Sequence, residues 1–149
     1  MSDVCSQRLV IPVLGGLYRA AAPFTETAIR IVAGLSLVPH GYPKLFVNPE
    51  AAAAFLAKGG YTPGMFWAIL LGLTEFVGGL LLAAGFLTRL ACIPIFIFLL
   101  TAITFHSKNG FVWNNLGFEY PLFWAIVVFH FLIHGGGRYS VDRMLGREV

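Results

Sequence analysis

Long apolar runs, interrupted by few charges, dominate the pattern of hydrophobic and polar positions along this chain. Four of the runs approach the roughly 20 residues that a membrane-spanning helix needs. They cover about residues 23–40, 65–87, 90–106 and 116–134. Backbone in lipid must satisfy its own hydrogen bonds, so runs of this length are helices and not strands. The pattern therefore predicts an all-α fold, an integral membrane four-helix bundle.

The longest connection, between the first and second spans, contains the signals of a short helix. Asn48 has the properties of an N-cap, Pro49 those of a first helical residue, and Gly59-Gly60 those of a stop. We therefore expect a helix over residues 50–58. Phe55 and Leu56 form an apolar side of this helix, so it is expected to lie in the membrane interface.

Three further boundaries follow from prolines and turn signals. Pro23 suits the first turn of the first span, and Pro39 and Pro43 are expected to mark its end. Before Pro23, residues 8–20 are expected to form a separate interfacial segment. Residues 88–89 are predicted to form the tight turn between the second and third spans.

The composition supports a membrane protein and excludes several other classes. Apolar residues make up 58% of the chain and charged residues 11%, against about 45–50% and 25% in soluble domains. A soluble helical bundle would need a polar face on each helix, and the second and third spans have almost none. The few basic residues are scattered, which argues against nucleic-acid binding. By length, residues 1–149 form a single transmembrane domain.

Lysine and arginine positions predict the orientation. An even number of spans puts both termini on one side, which holds six arginines, namely Arg8, Arg19, Arg89, Arg138, Arg143 and Arg147. The opposite side holds Lys44, Lys58 and Lys108. Because cytoplasmic loops carry the excess of positive charge, both termini are expected to be cytoplasmic.

Neither metal nor haem is expected from the cysteines and histidines. Cys5 and Cys92 lie far apart, and the sequence has no C-x-x-C motif or zinc-ligand spacing. His130 and His134 are one turn apart on one helix, so they cannot bracket a haem iron. The two cysteines are interpreted as small apolar residues.

Ionisable residues within the spans are the candidate functional residues, because charge in the bilayer is costly and faces the bundle interior. Helical spacing groups them on three faces. The first face carries Glu26, Arg30, Gly34, Leu37 and Gly41. The second carries Gly72, Glu75 and Gly79, and the third carries Glu119, Phe123, Ile126, His130 and His134.

The helical rise predicts which of these groups meet. Arg30, Glu75 and His130 are expected to lie together near the centre of the bilayer. His106, Glu119, His40 and Lys44 are expected to gather at the outer mouth of the bundle. An ion pair that only fixes the helix register is an alternative interpretation of the central cluster.

Several motifs resemble those of a known family. They include His40-Gly41-x-x-Lys44-Leu45, the stretch from Glu75-x-x-Gly78-Gly79 to Thr88-Arg89-x-Ala91, His106-x-x-Asn109-Gly110-Phe111, and Gly135-Gly136-Gly137-Arg138-Tyr139-Ser140-x-Asp142. From about residue 24 to 143, the chain resembles the DoxX family of small bacterial four-helix membrane proteins. The resemblance implies a location in the bacterial inner membrane.

The resemblance also implies a redox context. The DoxX family is named for subunits of a thiosulfate:quinone oxidoreductase, and other members look like partners of redox or detoxification enzymes. This chain departs from thiol-handling relatives because it has no cysteine pair. Electrons would have to pass to a quinone or to a partner's cofactor.

The leading functional hypothesis is a membrane subunit associated with oxidoreductase activity, which binds a quinone or docks a redox partner. Glu75 and Arg30 are the expected catalytic residues. The expected quinone-binding residues are Arg30, Glu75, His130, His106 and Glu119. A small transporter or proton pathway, running from Glu26 through Arg30 and Glu75 to Glu119, is the alternative, and a non-catalytic membrane scaffold is another. The lipid bilayer is the expected partner of the chain, and the sequence leaves open whether it also forms a homodimer.

Overall fold

The computed structural model describes residues 9–146, and these residues contain six α-helices and no strand. The helices are α1 (Gly15–Tyr42), α2 (Pro49–Lys58), α3 (Gly64–Ala84), α4 (Thr88–His106), α5 (Glu119–His134) and α6 (Val141–Met144). A turn of π-helix (Pro43–Val47) joins α1 to the N-cap of α2. The fold is all-α, as the apolar runs predict.

Three of the helical segments are long and apolar enough to cross a membrane. They are Pro12–Val47, Gly64–Ala84 and Thr88–Asn109, which contain α1, α3 and α4. Helix α5 is apolar too, but its 16 residues extend only about 24 Å, less than the roughly 30 Å of the hydrocarbon core. The protein is therefore a multi-pass membrane protein, and the fourth crossing stays a prediction.

Glycines let α1 and α3 pack backbone against backbone. A Cβ added at Gly34 would collide with the backbone of Gly79 and Ala83, and one at Gly41 would collide with Phe76. Small residues at such positions allow close approach of membrane helices. The predicted inward faces of these two helices are confirmed, except that Glu26 is only partly buried.

A compact apolar core lies between α1, α3, α4 and α5. Its fully buried members include Leu82, Cys92, Ile95, Val128 and Phe131. Cys92 is thus one of the small apolar residues that its sequence context predicts, whereas Cys5 lies outside the described residues.

The predicted inward stripe of α5 is wrong. Phe123, Ile126, His130 and His134 are exposed, and Glu119 is partly exposed. The buried face carries Ala125, Val128 and Phe131 instead. Apolar packing of these side chains against α4 determines the rotation of α5, because only that face fills the core without burying polar groups.

Helix α1 is longer than its prolines predict. It begins at Gly15, contains both Pro23 and Pro39, and ends at Tyr42. Residues 15–20 are therefore continuous with the first spanning helix, so the prediction of a segment separate from that helix is wrong for these residues. Their location in the membrane interface stays a prediction. Strong helix formers at Ala20-Ala21-Ala22 carry the helix across Pro23.

The turn between α3 and α4 lies at residues 85–87 and not at 88–89. Gly85 (φ 69°) and Leu87 (φ 49°) adopt the left-handed conformation that ends α3 and precedes α4. Thr88 then starts α4, because the Asp142 carboxylate accepts hydrogen bonds from the Leu87 and Thr88 amides. The C-terminal segment thus supplies the cap of α4.

The short helix α2 begins and ends close to its predicted limits. The Asn48 side chain accepts a hydrogen bond from Ala51 N at 3.0 Å, and Pro49 is the first helical residue. The helix ends at Lys58, directly before Gly59-Gly60. None of its residues is buried, so it lies along the surface of the bundle.

Candidate functional site

A large cavity of about 590 Å³ lies between α1, α2, α3 and α4, within the range of small-molecule sites. Most of its wall is aliphatic or aromatic, and a few polar side chains converge on it. The aromatic members are Phe55, Tyr61, Trp67, Phe98 and Phe105. The polar members include His40, Lys44, Thr74, Glu75, Thr101 and His106.

An ion pair between Lys44 and Glu75 forms the polar centre of the large cavity. The Lys44 Nζ lies 2.6 Å from a Glu75 carboxylate oxygen and also donates to the His40 carbonyl at 2.7 Å. The Glu75 side chain is 4% exposed and that of Lys44 is 24% exposed. An ammonium group has three donors, so one Lys44 N–H remains for a ligand that carries an oxygen acceptor.

His106 in its neutral form provides a hydrogen-bond acceptor that complements the Lys44 donor. Its Nδ1 lies 2.6 Å from the Leu116 carbonyl oxygen, which can only accept, so Nδ1 carries the proton. In the neutral ring Nε2 is then an acceptor. His106 lines the large cavity, which therefore places an imidazole nitrogen in the same space as the Lys44 amine.

A small cavity of about 180 Å³ adjoins this group and is lined by residues of α1, α4 and α5 together with Glu75 of α3. The two cavities share His40, Glu75, Phe98, Ala102 and His106. The small cavity continues toward α5, where Tyr120 and Trp124 form its wall. Glu75 and the two histidines therefore stand between two spaces.

Arg30 does not pair with Glu75, so the predicted central Arg30–Glu75–His130 cluster is wrong. Its guanidinium donates to the Tyr139 carbonyl at 2.7 Å and to the Leu82 carbonyl at 3.4 Å. The side chain is 1% exposed, and the carboxylates of Asp142 and Glu26 lie close enough to interact with it. The long side chain reaches toward the α3–α4 turn, away from the cavities.

His130 lies beside Glu26 and not beside Glu75. Its Nε2 is 3.5 Å from a Glu26 carboxylate oxygen, and its ring stacks on His134 with centroids 4.3 Å apart. Both histidines are exposed on α5. This arrangement follows from the rotation of α5 described above.

Glu119 holds the loop before α5. Its carboxylate accepts a hydrogen bond from the Trp113 amide at 3.1 Å, and it is in neither cavity wall. His40, Lys44 and His106 therefore gather as predicted but Glu119 does not, and their place on the outer side of the membrane stays a prediction. Within residues 9–146, no group of three or more His, Cys, Asp or Glu side chains could hold a metal ion.

Lys44 as the partner of Glu75 is the main feature that sequence reasoning missed. The signal was present, because Lys44 follows Gly41 by three residues and so continues the Gly34–Leu37–Gly41 face. Ending the helix at Pro39 removed Lys44 from that face. In the structure, the helical backbone continues through Pro43–Val47 and keeps Lys44 beside α3.

Comparison with known proteins agrees with this membrane architecture. The DoxX family model matches residues 26–107, more than half of the chain. An uncharacterized membrane protein of Mycobacterium tuberculosis is 28% identical over 144 residues, which cover 89% of this chain and 88% of the relative. No solved structure matches the chain. The matched region contains α2, α3 and α4 with the Lys44–Glu75 pair, and the chain belongs to the DoxX family.

Proposed function

We propose that this protein is the membrane subunit of an oxidoreductase system and binds a quinone in the large cavity. The observation that carries the proposal is the ion pair of the buried Glu75 with the partly exposed Lys44, beside His106 in a mainly apolar cavity of about 590 Å³. A quinone needs an apolar, aromatic slot and a few hydrogen-bonding groups for its carbonyl oxygens. The cavity walls supply the apolar, aromatic slot, and the ion pair supplies the hydrogen-bonding groups.

The hydrogen-bonding groups of the cavity fit both the quinone, which has carbonyl oxygens, and the quinol, which has hydroxyl groups. The third N–H of Lys44 is suited to a carbonyl oxygen, and Nε2 of His106 is suited to a hydroxyl group. When bound, a quinone supplies redox chemistry in which electrons and protons are taken up together. Glu75, Lys44 and His106 are the groups of this chain that would hold or move a proton at those oxygens.

The placement of the remaining ionisable residues favours ligand binding over a transmembrane pathway. A pathway from Glu26 to Glu119 depends on contact between Arg30 and Glu75. Arg30 instead donates to Leu82 and Tyr139, so Arg30 and Glu75 belong to two separate clusters of ionisable groups. Arg30 and His130 are therefore outside the quinone site that we propose, and Glu75 and His106 remain in it.

The direct test is to purify the protein in a mild detergent, extract it with organic solvent and quantify quinone by mass spectrometry. The wild type is expected to carry quinone in near-stoichiometric amount. Glu75→Gln and Lys44→Met should each lose most of it, because each removes one partner of the polar centre. Absence of quinone from the wild type would contradict the proposal.

Glu26→Gln is the matched control. It makes the same substitution in a partly buried glutamate at the opposite end of the bundle, beside His130. This variant should retain the wild-type amount of quinone. Equal losses in Glu26→Gln and Glu75→Gln would show that the measurement reports general destabilisation and not the cavity.

A further inference from the structure

The large cavity reaches the side of the bundle. Several residues of its wall are also exposed on the outer surface of the helices, among them Phe55 (59% exposed) and Ile97 (60% exposed). In a membrane protein, a surface of this composition faces lipid. The same side chains therefore line the cavity and contact the acyl chains.

The opening extends deep into the bilayer. Along α4 the cavity wall runs from Pro94 to His106, about 18 Å at the helical rise. This is more than half of a hydrocarbon core of roughly 30 Å. The polar centre at Lys44 and Glu75 therefore connects to the lipid phase through an apolar slot.

Helix α2 covers this slot on one side. It packs closely against α3, where a Cβ at Gly64 would collide with the Ala53 carbonyl. Against α4 it is not packed along its length, and their contact includes the Phe55 and Phe105 rings, with centroids 5.7 Å apart. The α2–α4 boundary is the weakly packed side of the cavity.

We propose that the ligand enters the large cavity sideways from the bilayer, through the slot between α2 and α4, and that separation of the Phe55 and Phe105 rings widens this slot enough for the ligand head to pass. This inference rests on the proposed function and narrows its ligand class to lipid-soluble molecules with a polar head and a long apolar tail. The head lies at Lys44–Glu75, and the tail leaves through the slot past Ile97 into the acyl chains. Helix α2 is the part of the wall that moves.

A cross-link across the two rings tests the entrance. Phe55→Cys and Phe105→Cys are combined in a Cys5→Ser protein, while Cys92 stays because it is fully buried. The protein is loaded with a long-tailed menaquinone in lipid nanodiscs and closed with a short, reducible bis-methanethiosulfonate. The release of quinone to empty vesicles is then followed with time.

Closing the entrance should slow release by at least about tenfold, since a fixed cover prevents the opening on which release depends. Reduction of the cross-link should restore the rate, and either single-cysteine variant should release at the uncross-linked rate. Equal release from closed and open protein would overturn the entrance while leaving the proposed quinone site intact.

A second measurement separates the two proposals if the wild type binds no quinone. Phe98 lines the cavity and is less exposed than Trp67, so Phe98→Trp combined with Trp67→Phe, Trp113→Phe and Trp124→Phe places the one tryptophan in the cavity wall. Lipids with brominated acyl chains should quench its fluorescence more strongly in the open protein than in the cross-linked protein. Equal quenching would show that acyl chains do not pass between α2 and α4.

Discussion

Lys44 lowers the free-energy cost of burying the Glu75 carboxylate inside a membrane protein. Glu75 is buried on α3, and its contact with Lys44 offsets the cost of placing a carboxylate in that environment. Lys44 is held in turn by the carbonyl of His40 in its own helix. The pair is therefore structural as well as available to a ligand.

Lys44→Met should destabilise the protein by about 3 kcal/mol, near the lower end for a broken buried ion pair, because Lys44 is partly exposed. Unfolding in mixed micelles with increasing SDS measures the change. Adding Glu75→Gln to Lys44→Met should recover more than half of the loss, because no uncompensated carboxylate remains.

Lys58→Met provides the matched control, since Lys58 lies in exposed α2. It should change stability by less than about 0.5 kcal/mol. If Lys44→Met and Lys58→Met have the same effect, the Lys44–Glu75 pair does not support the fold.

Single residues of the site were predictable where spacing along one helix decides their position. Glu75 lies between Gly72 and Gly79 on one face of α3, and this face is buried as expected. The direction of a long side chain is not contained in that spacing. Arg30 is on the predicted face of α1, yet its guanidinium bonds to Tyr139, a residue 109 positions away.

At the scale of elements, the contact between α1 and α3 depends on glycine. Gly34→Ala should destabilise the protein by about 1–3 kcal/mol, because the added methyl group meets backbone that cannot move aside. Gly16→Ala is the control in the same helix, with nothing within 4 Å of its added Cβ. It should have no destabilising effect, since alanine is the better helix former.

Unfolding in SDS-containing micelles also measures the stability of the Gly34→Ala and Gly16→Ala variants. Equal stability of the Gly34→Ala and Gly16→Ala proteins would contradict the close helix packing that we describe. The comparison is informative because both substitutions replace glycine with alanine in the same helix and only Gly34 contacts α3, so a loss of stability confined to Gly34→Ala reports the α1–α3 contact.

Asp142 joins the C-terminal segment to the start of α4. Its carboxylate accepts from the Leu87 amide at 2.7 Å, the Thr88 amide at 3.0 Å and the Thr88 hydroxyl at 2.8 Å. Asp142→Ala should destabilise the protein by about 2 kcal/mol, because a helix cap is lost and buried donors are left unpaired. Asp142→Asn, which keeps one acceptor oxygen, should cost less.

Hydrogen exchange of the Leu87 and Thr88 amides checks the cause of this loss. Both amides should exchange faster in Asp142→Ala. The exchange rates of amides in the middle of α3 should rise much less. Unchanged protection of Leu87 and Thr88 would mean that Asp142 is not their cap.

The helices themselves were largely predictable, since the apolar runs coincide with α3, α4 and α5 to within a few residues. The rules for proline misplaced the ends of α1, because Pro23 and Pro39 are tolerated inside a spanning helix whose neighbours supply the packing. The turn at Gly85 escaped detection for a different reason. Its geometry is completed by Asp142, which no local pattern connects to it.

At the scale of the whole molecule, most of the ionisable residues on the spanning helices divide into two clusters. The C-terminal side holds Arg30, Glu26, His130 and Asp142, where they fix the last segment and the start of α4. The α2 side holds Lys44, Glu75, His40 and His106 around the two cavities. We infer that the first group stabilises the fold and that the second binds the ligand.

Photolabelling with an azido-quinone tests this division most directly. The purified protein in nanodiscs is labelled with and without excess unmodified quinone, digested, and the labelled peptides are identified by mass spectrometry. The account predicts saturable label within residues 67–75 and 94–106, protected by excess quinone and lost in Glu75→Gln but not in Glu26→Gln. Label that is concentrated in residues 123–139, or that excess quinone does not displace, would contradict it.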